Sequence, residues 1–252
     1  MPGYYIHLAA SNQKARTNRS FVYGIEIPDL LKSYLKMYGL EGSKEKYNSI
    51  KTKEMPDFTY FESRVQQQEN NLSSNGMHYG YSSNPNIMYY WDSLTKIERQ
   101  NPFYIGYLWH LLTDLIIYKY LNIESKLSNF VKQHKDDKNI KVLMEIEKKK
   151  LHNDWDKTNA KIKSTYPDVI LTPEIIELNV IKFINYGQMY YIDWNIIKAI
   201  IDYMRSINPL EQDINTIIDE MMSLLPEQND CNIVTLNKKI TLSKFKIKKR
   251  YN

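Results

Sequence analysis

The apolar stretch 102–121 constrains the fold of this chain more than any other feature of its sequence. Asn101 followed by Pro102 is typical of a helix start, so the stretch is predicted to form one long helix. The same stretch carries His110 and Asp114, and an uncompensated carboxylate is costly to bury among apolar side chains. The sequence therefore predicts a helix in which Asp114 has a partner.

The partner of Asp114 is predicted from helical geometry. His110 and Asp114 are four residues apart, which places them on one helix face with Cβ atoms about 5–6 Å apart. At that separation an imidazole nitrogen and a carboxylate oxygen can bind one cation at about 2.0–2.2 Å each. The alternative is a His–Asp hydrogen bond in a helical core without a metal.

Helical periodicity dominates the 252 residues, which are enough for one domain or two small ones. We predict an all-α domain over residues 1–226 and a basic C-terminal extension over 227–252. Residues 39–84 are polar and weakly periodic, and they predict a long irregular excursion that embeds one helix. Alternation over 233–242 indicates a short β-hairpin or, alternatively, a basic tail. The predicted helices span 29–38, 85–97, 102–121, 125–132, 139–165, 173–186, 193–206 and 210–224.

Composition excludes several classes of site and of protein. The single cysteine, Cys231, excludes an internal disulfide and a cysteine-based metal cluster. The N-terminal segment has neither the basic nor the apolar region of a signal peptide, and no run approaches the roughly 20 apolar residues of a membrane span. We therefore expect a cytoplasmic protein. The net charge of +5 suits an anionic substrate, although much of it lies in 148–150 and 244–250, where a solvated surface is expected.

Four short segments follow one another along the chain. They are Met-Pro-x-x-x-x-His ending at His7, Gly-x-x-x-Pro-Asp ending at Asp29, a loop in which His78 precedes Asn-Pro-Asn, and Gly-Tyr-Leu-x-His-Leu-x-x-Asp ending at Asp114. Taken locally, Asp29 beside Pro28 is also typical of a helix N-cap. Over residues 1–120, and more loosely over 139–165, the chain resembles the zinc-dependent phospholipase C family, especially its small intracellular bacterial members.

This resemblance implies a compact helical zinc domain. Because zinc-dependent single-strand nucleases share the fold, it implies phosphoester hydrolysis more firmly than a lipid substrate, and the expected partner is a phospholipid, nucleotide or nucleic acid. It also implies a second ion, bridged by Asp114 and bound by His7 with help from the chain's N-terminal amine. The first ion would be bound by Asp29, His78, His110 and Asp114.

The sequence departs from the family pattern after Asp114. Tyr120 stands where the secreted enzymes carry another histidine. Their last ligand pair, a His and an acid four residues apart, corresponds to His152 and Asp156, whereas the small bacterial relatives offer the acid between them, here Asp154. We favour Asp154, then His152, then Asp156. The expected cofactor is one to three zinc ions or another divalent metal.

The implied chemistry uses a metal-bound water of lowered pKa, with Asp29 or Asp154 as the general base. The aromatic residues beside these motifs would line the pocket, although helical spacing favours a core position for Tyr107 and Trp109. A non-catalytic, metal-stabilised helical scaffold whose basic tail binds a partner is the alternative function. His134 is predicted to lie on the surface. The pocket-lining aromatic candidates are Tyr79, Tyr81, Tyr107, Trp109 and Trp155.

Overall fold

A computed structural model describes residues 3–70, 76–81, 83–227 and 230–250 of the chain, and eleven α-helices make up most of these residues. Side chains are described over 3–65, 76–81, 83–227 and 230–244. Within these ranges the only sheet is an antiparallel pair, β1 (Gly80–Tyr81) and β2 (Asn84–Pro85), so the all-α prediction is confirmed. The helices are α1 (Tyr4–Ala9), α2 (Arg19–Ile50), α3 (Thr59–Asn70), α4 (Ile87–Asp92), α5 (Pro102–Leu121), α6 (Ile123–Gln133), α7 (Ile140–Thr165), α8 (Pro173–Leu178), α9 (Trp194–Arg205), α10 (Ile214–Leu224) and α11 (Ile233–Arg250).

Helix α5 forms as the sequence predicts and runs through the core. The Asn101 side chain accepts a hydrogen bond from the Phe103 amide, and Pro102 occupies the first turn. Every residue from Phe103 to Ile117 is buried, His110 and Asp114 included. Although α5 is apolar, neither it nor another helix in the described part of the chain is long and apolar enough to span a bilayer.

Two glycines bring the backbones of α2 and α5 into direct contact. A Cβ atom added to Gly24 would lie 2.0 Å from the Phe103 carbonyl oxygen, and one added to Gly106 would lie 2.1 Å from the Phe21 carbonyl oxygen. Neither position therefore accepts a side chain without a shift of the backbone. This close crossing places α2 against the face of α5 that carries His110 and Asp114. The contact lies at Gly24, so the next residue, Ile25, is also beside α5.

The predicted start of the helix at residues 29–38, which corresponds to α2, was wrong. We expected a helix from Asp29 with Pro28 at its mouth, but α2 begins at Arg19, is capped by Asn18, and carries Pro28 in its interior. Asp29 is consequently not an N-cap, and its carboxylate is available for another role. The predicted end at residue 38 coincides with a break in α2 at Gly39, where φ is 67°.

Several other boundaries differ from the predictions. Residues 39–84 are more helical than expected, because the end of α2 and all of α3 lie there. The predicted helix 85–97 is reduced to α4, and the predicted helix 173–186 ends at Leu178 because Asn179 adopts a left-handed conformation. The remaining predicted helices agree with α5, α6, α7, α9 and α10 to within a few residues.

The predicted C-terminal hairpin was also wrong, since residues 233–250 form α11. Leu236 and Ile240 are buried in the common core, and the Ser243 hydroxyl lies 2.8 Å from the Tyr203 hydroxyl. These three positions of α11 are four and three residues apart, which is the spacing of one helix face. The C-terminal segment thus packs on the helical domain through that face.

Candidate metal centre

Five predicted ligands converge in the interior, from four separate elements. Helix α1 positions His7, α2 positions Asp29, a short 3-10 turn at residues 76–78 positions His78, and α5 positions His110 and Asp114. Asp29 is 5% exposed and the other four are 1% exposed or less. The structure therefore brings together two carboxylates and three imidazoles away from solvent.

Asp114 lies at the centre of this cluster. Its Oδ1 is 3.3 Å from His7 Nε2, and its Oδ2 is 3.2 Å from His78 Nε2 and 3.5 Å from His110 Nε2. Asp29 Oδ1 is 3.7 Å from His78 Nε2. Two groups of three ligand atoms result, each with its atoms within 4.8 Å of one another: His7, His110 and Asp114, and Asp29, His78 and His110.

Several of these atoms have no hydrogen-bond partner within the described part of the chain. They are both ring nitrogens of His7, Nδ1 of His78, Oδ1 of Asp29 and Oδ1 of Asp114. Buried polar atoms in proteins are normally paired, because an unpaired one costs about 1–3 kcal/mol. A cation bound to the two groups would satisfy the nitrogens and oxygens that face it, so the residues fit a metal site.

His110 is oriented as metal-binding histidines usually are. Its Nδ1 lies 2.8 Å from the Ile25 carbonyl oxygen, a pure acceptor, so the Nδ1–H donates to it. The Nε2 lone pair then points at the cluster, where it lies 3.0 Å from His78 Nε2. The glycine crossing that brings Ile25 to α5 therefore also fixes the orientation of this ligand.

Burial and charge keep the imidazoles of His7 and His78 neutral and the carboxylate of Asp114 ionised. Burial lowers the pKa of His7 and the pKa of His78, so both rings are neutral near pH 7, as ligation requires. Burial acts to raise the pKa of Asp114, but His7, His110 and His78 together hold it well below the ordinary range. For His110, burial acts to lower the pKa, but the carboxylates of Asp114 and Asp29 outweigh burial and raise it. Asp114 is thus ionised among three imidazoles.

Asp154, which the resemblance favoured as a further ligand, lies elsewhere. Its Oδ2 accepts hydrogen bonds from the backbone amides of Tyr190 and Tyr191, each 2.7 Å long, and its Oδ1 is 3.6 Å from Lys157 Nζ. It belongs to neither group of ligand atoms. Residue 154 lies two positions from 152 and from 156, or about 200° around α7, so it faces away from them. The structure gives Asp154 the role of holding the segment around Tyr190.

His152 and Asp156 instead line a pocket of about 380 Å³ beside the centre. The imidazole of His152 is exposed, with Nδ1 2.7 Å from the Lys148 carbonyl oxygen. Burial raises the pKa of Asp156. Asp29 lines the same pocket, so it connects the pocket with the buried cluster. The charged and aromatic residues of the pocket walls are Tyr4 from α1, Asp29, Lys32 and Lys36 from α2, and His152, Trp155 and Asp156 from α7.

Lys32 and Lys36 were not among the predicted site residues. They follow Asp29 by three and seven positions, so they share its face of α2, and this spacing is a signal that the sequence carries. Burial is the main cause that lowers the pKa of Lys32, although the carboxylates of Asp29 and Asp114 act in the opposite direction. The two lysines place positive charge on the pocket wall beside the centre.

The remaining candidates lie outside the two ligand groups. Tyr107 and Trp109 are core residues, as predicted, and the Tyr107 hydroxyl donates to the carbonyl of Met77, the residue before His78. Trp155 lines the pocket, whereas Tyr79 packs against Tyr90 with ring centroids 5.0 Å apart. The other positions are Tyr81, 59% exposed; Tyr120, whose hydroxyl donates to the Leu224 carbonyl; and His134, half-buried against Phe130 at the end of α6. The proposed N-terminal amine ligand belongs to residues 1–2, outside the described residues.

Comparisons of the chain with protein families, with curated proteins and with solved structures each give no match. The geometry of the centre and the resemblance of the motifs are therefore the features that point to a function.

Proposed function

We propose that this protein is a metal-dependent phosphoesterase that hydrolyses a phosphodiester or phospholipid with metal-activated water. The observation that carries the proposal is the convergence of His7, Asp29, His78, His110 and Asp114 in a buried cluster with unpaired ligand atoms. A purely structural His–Asp pair would not require three further ligand residues around it. The resemblance of the motifs to the zinc-dependent phospholipase C family supports the same chemistry.

The ligand types favour zinc, because imidazoles and carboxylates without thiolates are common at catalytic zinc sites. When bound, divalent ions supply a water of lowered pKa and positive charge for the phosphoryl oxygens. His110 belongs to both groups, but its one free lone pair would bind only one ion. It would hold a first ion with Asp29, His78 and Asp114, and His7 with Asp114 would hold a second. The Nδ1–H of His110 donates to the Ile25 carbonyl and keeps the Nε2 lone pair directed at the centre.

The pocket supplies what a phosphate ester requires beside the centre. Asp29 lines the pocket beside the proposed ions, so we assign it as the general base that accepts the proton of the attacking water. Asp154, the other candidate base, lines neither the pocket nor the two ligand groups, and its Oδ2 accepts the amides of Tyr190 and Tyr191. Lys32 and Lys36 offer positive charge to an anionic substrate, and Trp155 offers an apolar wall.

The direct test is hydrolysis of an aryl phosphodiester, a phosphocholine ester and a dinucleotide by the purified, zinc-loaded full chain. We expect turnover of at least one of these esters that stops with a chelator and returns when zinc is restored. The Asp29→Asn variant should keep its fold and lose most of the activity, whereas the matched Asp219→Asn variant on α10 should not. A zinc-replete, folded protein that is inactive on all three esters would instead favour the metal-stabilised scaffold.

A further inference from the structure

The segment 179–193, which we call the 179–193 loop, exposes large apolar side chains. All fifteen of its residues are described, and none lies in a helix or strand. Val180 is 45% exposed, Phe183 40%, Tyr186 81% and Tyr190 58%, and Ile176 at the preceding helix α8 is 62% exposed. Irregular loops of this length in compact domains usually have a function, and grouped exposed apolar residues mark interaction sites.

This loop is held against α7 by hydrogen bonds along its length. Asp154 accepts the two amides described above, and the Ile184 amide donates to the Asp156 carbonyl over 3.2 Å. The Asn159 side-chain amide donates to the Lys182 carbonyl over 3.3 Å. These contacts fix the backbone while its apolar side chains remain outside. The loop therefore presents them as a formed surface.

Lysines of α7 lie beside two aromatic rings of the same loop. Residues 157–163 carry three lysines and no acid, and Lys163 Nζ lies 4.7 Å from the centroid of the Phe183 ring. Lys150 Nζ and Lys157 Nζ lie 5.4 and 6.0 Å from the centroid of the Tyr190 ring. Lys150 is paired with Glu147, and Lys157 lies 3.6 Å from Asp154, so we assign the positive charge beside the loop to Lys161 and Lys163. Exposed apolar side chains beside lysines are the combination that binds an anionic lipid surface.

We propose that the 179–193 loop, together with Ile176 and the lysines of α7, docks on an anionic phospholipid bilayer. Aliphatic side chains such as Ile176 and Val180 suit insertion between lipids and cannot stack on bases, which favours lipid over single-stranded nucleic acid. Val180 and Ile181 also line the pocket, so docking sets the pocket mouth at the bilayer surface. The proposal concerns binding alone and does not depend on the proposed hydrolysis.

The test is co-sedimentation of the full chain with vesicles of phosphatidylcholine alone or of equal parts phosphatidylcholine and phosphatidylglycerol. We expect binding to the anionic vesicles, weakened by salt. The double variant I176S/Y186S should bind about tenfold more weakly, because two apolar side chains no longer leave water. The matched variant I97S should bind like the unaltered chain, since Ile97 is 82% exposed but lies between α4 and α5.

The electrostatic part is tested with a second pair of variants. K161Q/K163Q should lower affinity for the anionic vesicles about thirtyfold, because each lysine near such a surface contributes about 1 kcal/mol, which is about fivefold. K135Q/K138Q, with the same change of charge between α6 and α7, should not. Folding of each variant is checked by circular dichroism. Absent vesicle binding, equal losses in the control variants, or loop-dependent binding of a single-stranded oligonucleotide instead of vesicles would each overturn the proposal.

Discussion

Asp114 has the most partners of any residue in the centre, because its two oxygens face His7, His78 and His110. We expect Asp114→Ala and His110→Ala each to lose bound zinc and to lower the free energy of unfolding by about 3 kcal/mol, since the remaining groups stay buried without a partner. Metal mass spectrometry and thermal melting measure the two effects. His134→Ala is the control, and full zinc content in either centre variant would contradict the assignment.

Glu26 is a buried acid outside the ligand set, and it gives stability a pH dependence. Burial raises its pKa well above the ordinary value of 4.5, its Oε2 accepts a hydrogen bond from Thr172, and its Oε1 has no such partner among the described residues. Because the folded state holds this proton at a pH where the unfolded state has released it, the contribution of Glu26 to stability is fully present below pH 4.5. It then falls as the pH rises toward the folded-state pKa.

Glu26→Gln should therefore raise the melting temperature at pH 8 and leave it nearly unchanged at pH 4. The amide keeps the shape of the side chain and never ionises, which removes the cost of a buried charge. Melting curves of both proteins across this pH range measure the difference. An equal difference at both pH values would show that ionisation of Glu26 is not its cause.

Among the contacts between helices, the crossing of α2 and α5 leaves no room for a side chain at Gly24 or Gly106. Gly106→Ala should destabilise the protein by about 3 kcal/mol, because its Cβ would overlap the Phe21 carbonyl and force the helices apart. Zinc affinity should fall as well, since separation of the helices moves Ile25 from His110. Gly3→Ala is the control, because a Cβ there meets no atom within 4 Å. Denaturant unfolding and zinc titration measure the two effects.

The short helix α1 contributes His7, which belongs to only one of the two ligand groups. His7→Ala should therefore reduce the bound zinc while the group of Asp29, His78 and His110 keeps its affinity. Metal analysis at matched protein concentration, compared with His152→Ala at the pocket wall, gives the stoichiometry. Unchanged zinc content in His7→Ala would remove α1 from the centre.

Helix boundaries show what local sequence can and cannot predict. The start of α5 could be predicted because Asn101 supplies the N-cap and Pro102 fits the first turn of a helix. The start of α2 was not, because tertiary contacts with α5 hold a proline inside a helix where local rules place it at a boundary. The alternation of 233–242 fits a strand and a helix face alike, and only packing on α9 and α10 distinguishes them.

The same limit applies to the site. His7, Asp29, His78, His110 and Asp114 were found from short motifs and the spacing of four on α5, and the structure places them together. To choose among residues 152, 154 and 156, one must know which face of α7 is turned toward the centre, that is, how α7 is rotated about its axis. That rotation is set by contacts far along the chain, including those of Asp154 with the backbone around Tyr190.

For the whole molecule, metal binding and global stability should be linked. An ion that binds the folded chain at about a thousand times its dissociation constant contributes about 4 kcal/mol, or roughly 10 °C in the melting temperature of a domain of this size. Excess chelator should therefore lower the melting temperature of the unaltered protein by about this amount and leave Asp114→Ala unchanged. A chelator effect of equal size in both proteins would contradict the linkage.

The order of the ligands along the chain also affects synthesis. His7 leaves the ribosome first, yet its partner Asp114 is made after α1 to α4 are complete. Until then the apolar residues of α1 and the first half of α2 have no α5 to cover them, because the Gly24–Gly106 contact does not yet exist. A nascent chain that stalls before residue 102 would therefore expose its future core, and release of a folded domain must wait for the helix that carries His110 and Asp114.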